Sequence, residues 1–155
     1  MTKIVRATAR HLGPLANLMT RSPLLRRYGV TARGASRSLS VGLRARDLIL
    51  VALEADAVVG LAWVIATPAL DRAAYLRLLL VAEDAHSRGI GGALLARAER
   101  EAKASGSRHF VLLVTRSNRR ARAFYARHGY THVGDLPNFV RRGIAESLYL
   151  KSWRA

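Results

Sequence analysis

Residues Leu78 to Ala98 read LLLVAEDAHSRGIGGALLARA. The apolar run Leu78-Leu79-Leu80-Val81 stops at Glu83-Asp84, and a short loop follows, His86-Ser87-Arg88-Gly89-Ile90-Gly91-Gly92. Leu94, Leu95 and Ala98 then recur at helical spacing, with Arg97 between them and Glu99 and Arg100 just after. The pattern is strand, glycine-rich turn, helix. Such a turn aims several backbone N–H groups one way, and the helix dipole adds partial positive charge. It is built to hold phosphate. No lysine follows the glycines, so this is not a Walker loop. Leu94 stands where a dinucleotide fingerprint needs its third glycine. What remains is x-x-x-G-x-G after a strand, with Arg88 inside the loop; a plain strand–helix connector would use the same glycines.

A second stretch narrows the choice. Residues 109–130 read HFVLLVTRSNRRARAFYARHGY. Phe110 to Val114 is a short strand. Ser117 or Asn118 can cap the following helix, which turns Ala121, Phe124 and Tyr125 to one side and ends near Gly129. Together they spell N-x-x-A-x-x-F-Y-x-x-x-G-[FY], from Asn118 to Tyr130.

With both stretches in this order the chain resembles the GCN5-related N-acetyltransferase superfamily. That family carries V-x-x-x-x-[RQ]-x-x-G-x-[GA] followed by the N-x-x-A-x-x-F-Y element. Here Val81 is followed by His86 through Gly91, then by Asn118 through Tyr130. The resemblance runs from about Leu48 to the C-terminus, and the first 45 residues fit it more loosely. His86 stands where the family usually has Arg or Gln. Backbone amides do most of the holding in such a loop, so the change is tolerable, and Arg88 can add charge. Some relatives that acetylate protein N-termini place a glutamate on the strand before the Asn. Neither Leu112–Thr115 nor Tyr75–Val81 carries a carboxylate. No general base is legible, which counts against protein acetylation.

The resemblance implies an acetyl-CoA-dependent transfer to a primary amine, by direct attack in a ternary complex. The amides of Ser87, Arg88, Gly89, Ile90, Gly91 and Gly92 would hold the CoA pyrophosphate. The pantetheine arm would lie along the strand near Leu79 and Val81 like an extra strand. An N–H near Val81 would polarise the thioester carbonyl. Asn118 would touch the pantetheine, Arg122 would belong to the CoA-side cluster, and Tyr125 would protonate the departing thiolate. Without the motif, Tyr125 reads as a core or rim aromatic and Asn118 as a helix cap. Acceptor pockets of the family map here to Arg21–Gly34 and Asp135–Ala145. Tyr28, Trp63, Asn138 and Phe139 are the candidate acceptor contacts, with a core role equally open for Trp63. Both regions are rich in arginine, so the acceptor is expected to be a small amine that also carries an acid or phosphate group. The alternatives are a protein or peptide acetyltransferase, and a non-catalytic CoA-sensing or nucleic-acid-binding module.

Composition sets the outer limits. A chain of 155 residues is one domain, residues 1–155, long enough to bury a normal core. No apolar stretch reaches membrane-spanning length, and no signal-peptide pattern opens the chain. There is no cysteine, which excludes thiolate metal sites, disulfides and an acetyl-cysteine intermediate. A cytoplasmic location is the default, no metal is expected, and homodimerisation is a family habit. Of the 26 cations 23 are arginine, the three lysines being Lys3, Lys103 and Lys151, and the net charge is +16. Arginine-favouring codons spread over solvated faces, plus attraction of anionic CoA, account for this better than a nucleic-acid platform. Aromatics are only 6% of the chain, too few to interleave with a basic patch. The densest cluster is Arg116, Arg119, Arg120, Arg122 and Arg127. No specific nucleic acid and no membrane partner are expected.

The remaining elements follow from periodicity. Lys3–Ala7 is a strand, and His11 to about Arg21 is a helix broken by Ser22-Pro23. Leu24–Gly29 reads as an irregular segment or short turn, and Thr31–Leu43 as a helix. Leu48–Leu53 and Val58–Ala66 form a hairpin across Ala55-Asp56. Tyr75–Val81 and Phe110–Val114 are strands. Thr131–Gly134 and Ser147–Lys151 close the sheet, with Pro137-Asn138 in their connection. The fold class is α/β, a mixed, mostly antiparallel sheet of about seven strands with helices on both faces.

Overall fold

The computed structural model describes residues 1–153; Arg154 and Ala155, the last two of the expected domain, lie outside the described residues. Seven strands form one mixed sheet: β1 (Thr2–Arg6), β2 (Leu48–Glu54), β3 (Ala57–Ala66), β4 (Ala73–Val81), β5 (His109–Thr115), β6 (Thr131–Pro137) and β7 (Ala145–Ser152). Their spatial order is β1-β2-β3-β4-β5-β7-β6. The helices are α1 (Leu12–Arg21), α2 (Pro23–Arg27), α3 (Ala32–Arg44), a single turn α4 (Ala69–Arg72), α5 (Ile90–Ala104) and α6 (Arg119–Arg127). β1–β2, β2–β3, β5–β7 and β6–β7 pair antiparallel, and β4–β5 pair parallel. The mixed, mostly antiparallel α/β sheet flanked by helices is therefore as expected.

The chain divides into two compact units. Unit 1 holds Met1–Val64 and Leu78–Arg100. Its core is aliphatic: Leu15, Leu39, Leu50, Leu61, Leu94 and Leu95 are buried. The β2–β3 hairpin turns through Ala55 and Asp56, both at positive φ (46° and 66°), which matches the right-handed twist of its strands. A Cβ on Gly60 would lie 2.9 Å from Leu94 Cδ1 and 3.3 Å from Ile90 Cγ2. The missing side chain lets α5 lie close on β3. Leu24–Gly29, expected as an irregular segment or short turn, is mostly helical, since α2 runs Pro23–Arg27 and is capped by Tyr28. Ser22 Oγ accepts from Leu25 N at 3.3 Å, and Pro23 at the first helical position gives up no needed donor.

Unit 2 holds Ile65–Arg77 and the chain from Glu101. Its core is aromatic, with Phe110 edge-on to Tyr130 (6.3 Å) and Trp153 (5.9 Å). Pro137 is the last residue of β6 rather than part of a connection. β6 is an edge strand, where a missing N–H costs little. The turn α4 was not foreseen. Leu70, Asp71 and Arg72 all take positive φ (52°, 54° and 59°). Asp71 anchors it through His109 Nε2 at 3.0 Å and Arg108 Nε at 3.6 Å. That hydrogen bond from His109, and then the Arg108 charge, hold the Asp71 carboxyl below its ordinary pKa.

Candidate active site

In unit 1 the glycine-rich loop leads from β4 into α5, with one shift of boundary from the expected one. α5 begins at Ile90, so Gly91 and Gly92 lie in its first turn rather than before it. Ala93 N donates to Gly89 O at 3.0 Å, which closes the first helical ring. The N–H groups of Ile90, Gly91 and Gly92 have no carbonyl to reach within the helix. Ser87 and Gly89 take positive φ (64° and 78°). A Cβ on Gly89 would meet nothing within 4 Å, so glycine is needed there for backbone shape rather than for space. Glu83-Asp84 sits in a short 3₁₀ turn, Glu83–Ala85.

Two side chains of the loop are already engaged. His86 Nε2 lies 2.8 Å from Val81 O. A carbonyl only accepts, so this ring nitrogen carries the proton. The histidine thus ties the loop back to the end of β4. Arg88 Nη1 donates to Glu54 Oε2 at 3.0 Å, and Nη2 to Asp84 O at 3.4 Å. Glu54 in turn accepts from Thr2 Oγ1 at 3.0 Å. Leu79 and Val81 are half-buried at the end of β4. The β4–β5 ladder holds only the pairs from Ala73↔His109 to Leu76↔Leu112, although β4 runs on to Val81.

Unit 1 also contains a cleft of about 500 Å³ that sequence reading missed. Pro14, Asn17, Leu18 and Arg21 of α1 form one wall, with Ser22. Ala57–Val59 of β3 and Leu80–Asp84 form the other. Positions 14, 17, 18 and 21 share one helix face, but mixed polarity hid them among surface residues. Of the expected acceptor region Arg21–Gly34, only Arg21 and Ser22 reach the cleft. Tyr28, half-buried at the C-cap of α2, does not line it. Trp63 does not line it either. It is 1% exposed, and its Nε1 donates to Asp47 Oδ2 at 2.9 Å, so of its two readings the core role is the one the packing gives.

In unit 2 the second motif forms α6. Asn118 Oδ1 accepts from Ala121 N at 3.1 Å and caps the helix. Tyr125 is 8% exposed. Its ring stands edge-on to Phe124 (5.2 Å) and Tyr130 (5.6 Å), and tilted to Tyr149 (6.4 Å). Burial alone raises its pKa far above the ordinary phenol value, so the hydroxyl keeps its proton at any working pH. Arg122 Nε donates to Tyr149 Oη at 3.1 Å and Nη1 to Arg116 O at 3.2 Å. The bond to Tyr149 raises the Arg122 pKa further. Asn138 takes positive φ (57°) and accepts from Gly143 N at 2.7 Å, which is the work of a turn residue. Phe139 beside it is 61% exposed. Among the described residues no group of three or more His, Cys, Asp or Glu could hold a metal. Among them, too, no helix is long and apolar enough to cross a membrane.

Comparison with known proteins bears on this arrangement. The profile of the acetyltransferase (GNAT) family matches residues 24–130. No curated protein sequence matches the chain. Solved structures share the fold at low identity. The N-acetyltransferase from Staphylococcus aureus Mu50 is 21% identical, with a TM-score of 0.82 over 98% of both chains. The PaiA N-acetyltransferase from Thermoplasma acidophilum, in complex with coenzyme A, is 17% identical, with a TM-score of 0.79 over 99% of both. The ribosomal-protein-S18-alanine N-acetyltransferase from Escherichia coli is 19% identical, with a TM-score of 0.83 over 100% of this chain and 97% of that one.

Proposed function

This chain belongs to the acetyltransferase (GNAT) family, and from that premise we propose that it transfers an acetyl group from acetyl-CoA to the primary amine of a small molecule, working as one domain over residues 1–155. Acetyl-CoA supplies an activated thioester. The loop fits its pyrophosphate: helix-start amides at Ile90, Gly91 and Gly92, joined by those of Ser87, Arg88 and Gly89, make a compact anion cradle. Arg88 adds its charge once it leaves Glu54. Leu79 and Val81 lie beyond the ladder to β5, where a pantetheine arm can bond to β4 as an added strand. Asn118 contacts that arm while capping α6, and Arg122 contributes positive charge for the ribose phosphate.

The amine attacks the thioester carbonyl directly, with an N–H near Val81 stabilising the developing oxyanion. The amine attacks in its neutral form and loses a proton through water as the C–S bond breaks, while Tyr125 gives its hydrogen to the departing thiolate and is reprotonated from water. Burial keeps that phenol protonated, so the hydrogen is present when the thiolate leaves, while the same burial makes it a weaker acid. The observation that carries the small-molecule reading is the cleft. Its volume, about 500 Å³, lies within the range of small-molecule sites. Glu83 and Asp84 on one wall suit an ammonium, and Arg21 on the other suits an acid group. This supports an acceptor that carries both.

The test is release of CoA thiol from acetyl-CoA across a panel of amines, wild type beside Tyr125→Phe. Losing about 100-fold in kcat, with acetyl-CoA affinity kept, is the expected result. Turnover with peptides alone would move the acceptor to proteins. Tight acetyl-CoA binding with no turnover would mean a sensor.

A further inference from the structure

The +16 charge is not spread evenly. Met1 to Arg46 holds nine arginines and Lys3 against no carboxylate side chain; the first is Asp47. That segment carries +10, whereas the remaining residues carry 16 cations against ten acids, or +6. Codon preference can exchange lysine for arginine, but it does not remove aspartate and glutamate. All ten cations of the segment are exposed.

The cations are also ordered. Arg33, Arg37 and Arg44 lie on α3 within about 40° of one another around the helix axis, at 100° per residue, and span about 16 Å along it. Ala35, Leu39 and Gly42, the buried residues of α3, lie on the opposite side. The arginine stripe therefore faces outward. None of the three makes an ion pair among the described residues. Ser36 and Ser40 flank them on the same face. Arginine and serine side by side form the usual contact set for phosphate oxygens.

We propose that this face of α3 docks the protein on the phosphate backbone of a double-stranded nucleic acid, without reading its sequence. The proposal stands apart from acetyl transfer. Two features choose this occupant. An anionic membrane would need large apolar side chains to insert, and Val41 is the single exposed large apolar residue of α3. A single strand would need rings on which to stack its bases, and Tyr28 is the only aromatic residue before Trp63. Positive charge without rings or wedges leaves backbone contact, which favours the denser charge of a duplex.

The probe is a labelled mixed-sequence duplex of about 20 base pairs, titrated between about 50 and 200 mM salt. A single strand of equal length, an RNA duplex and phosphatidylserine vesicles run in parallel. The variant Arg33→Gln/Arg37→Gln/Arg44→Gln should lower the slope of log affinity against log salt by about 2 to 3. The control Lys103→Gln/Arg127→Gln/Arg142→Gln removes the same charge elsewhere and should lower it by less than about 1. The two duplexes should bind alike, and both more tightly than the single strand. Equal losses in the two variants would reduce the effect to net charge and overturn the proposal. So would an unchanged slope, or capture by vesicles with no duplex binding. Circular dichroism checks folding. Should the triple variant not fold, Arg37→Gln alone should lower the slope by about 0.9.

Discussion

The two units of this chain are made of different material. Unit 2 holds eight of the ten aromatic residues, and unit 1 holds only Tyr28 and Trp63. Unit 1 buries leucines and holds all of the acid-free cationic segment Met1–Arg46. Each composition suits a different task. Holding an anion needs aligned N–H groups and exposed positive charge, and a backbone turn at a helix start provides the first with no special side chain. Keeping a phenol protonated needs its exclusion from water, and a cage of rings provides that around Tyr125. One motif is thus written in backbone shape and the other in side-chain enclosure.

Four substitutions or conditions test this contrast. The largest effect is expected in the aromatic cage. Tyr125→Ala should destabilise the fold by about 3–5 kcal/mol, because it empties a buried ring site. Urea unfolding would show it, and a loss below about 1 kcal/mol would mean that the rings do not frame unit 2. In the loop the expected effect is smaller and of another kind. Gly89→Ala meets no atom but forces an alanine to φ near 78°, at a cost of about 1–2 kcal/mol. KM for acetyl-CoA should rise about tenfold with kcat kept, since tenfold corresponds to about 1.4 kcal/mol. An unchanged KM would reduce the loop to a connector.

Glu54→Gln should act more weakly still, and in the opposite direction. It frees Arg88 from an exposed ion pair worth less than about 1 kcal/mol. Acetyl-CoA should then bind up to about fivefold more tightly at low salt. Weaker binding would show instead that Glu54 positions Arg88. The smallest effect is acid sensitivity at the β6–β7 edge of unit 2. Asp135 accepts from Ser147 Oγ at 2.6 Å and pairs with His132 at 2.9 Å and Arg116 at 3.4 Å. The Ser147 bond, then the His132 bond, hold its carboxyl below the ordinary value. A lowered folded pKa means stability that is present above the unfolded value, near pH 4, and lost as the pH falls through the folded one. Hydrogen exchange in β6 and β7 should quicken below about pH 4 in the wild type, and Asp135→Asn should flatten that limb. Equal acid sensitivity in both proteins would remove Asp135 from the account.

Most of the fold was legible because its signals are local. The hairpin across Ala55-Asp56, the helices α1 and α3, and the seven strands showed as period and punctuation. The errors were local as well. Ser22-Pro23 ends α1 as expected, but Pro23 also opens α2, because proline is tolerated at the first helical position, and the reading of Leu24–Gly29 did not specify that helix. The left-handed turn at Leu70–Arg72 has no glycine or asparagine to announce it. The cleft was illegible for a different reason. Its walls come from α1, the start of β3 and the end of β4, and no window of sequence contains all three.

By itself the sequence determined the order of elements, the shape of the glycine-rich loop and the cap that opens the Asn118–Tyr130 motif. Turns, caps and helix starts depend on neighbours a few residues apart, so residue order is enough to specify them. The tertiary structure alone decided that Trp63 is buried against Asp47, that Arg88 is held by Glu54, and that the arginines of α3 form one outward stripe. It also decided that Tyr149 of β7 packs against Tyr125. Burial and ion pairing depend on distance in space, which the chain acquires only when it folds.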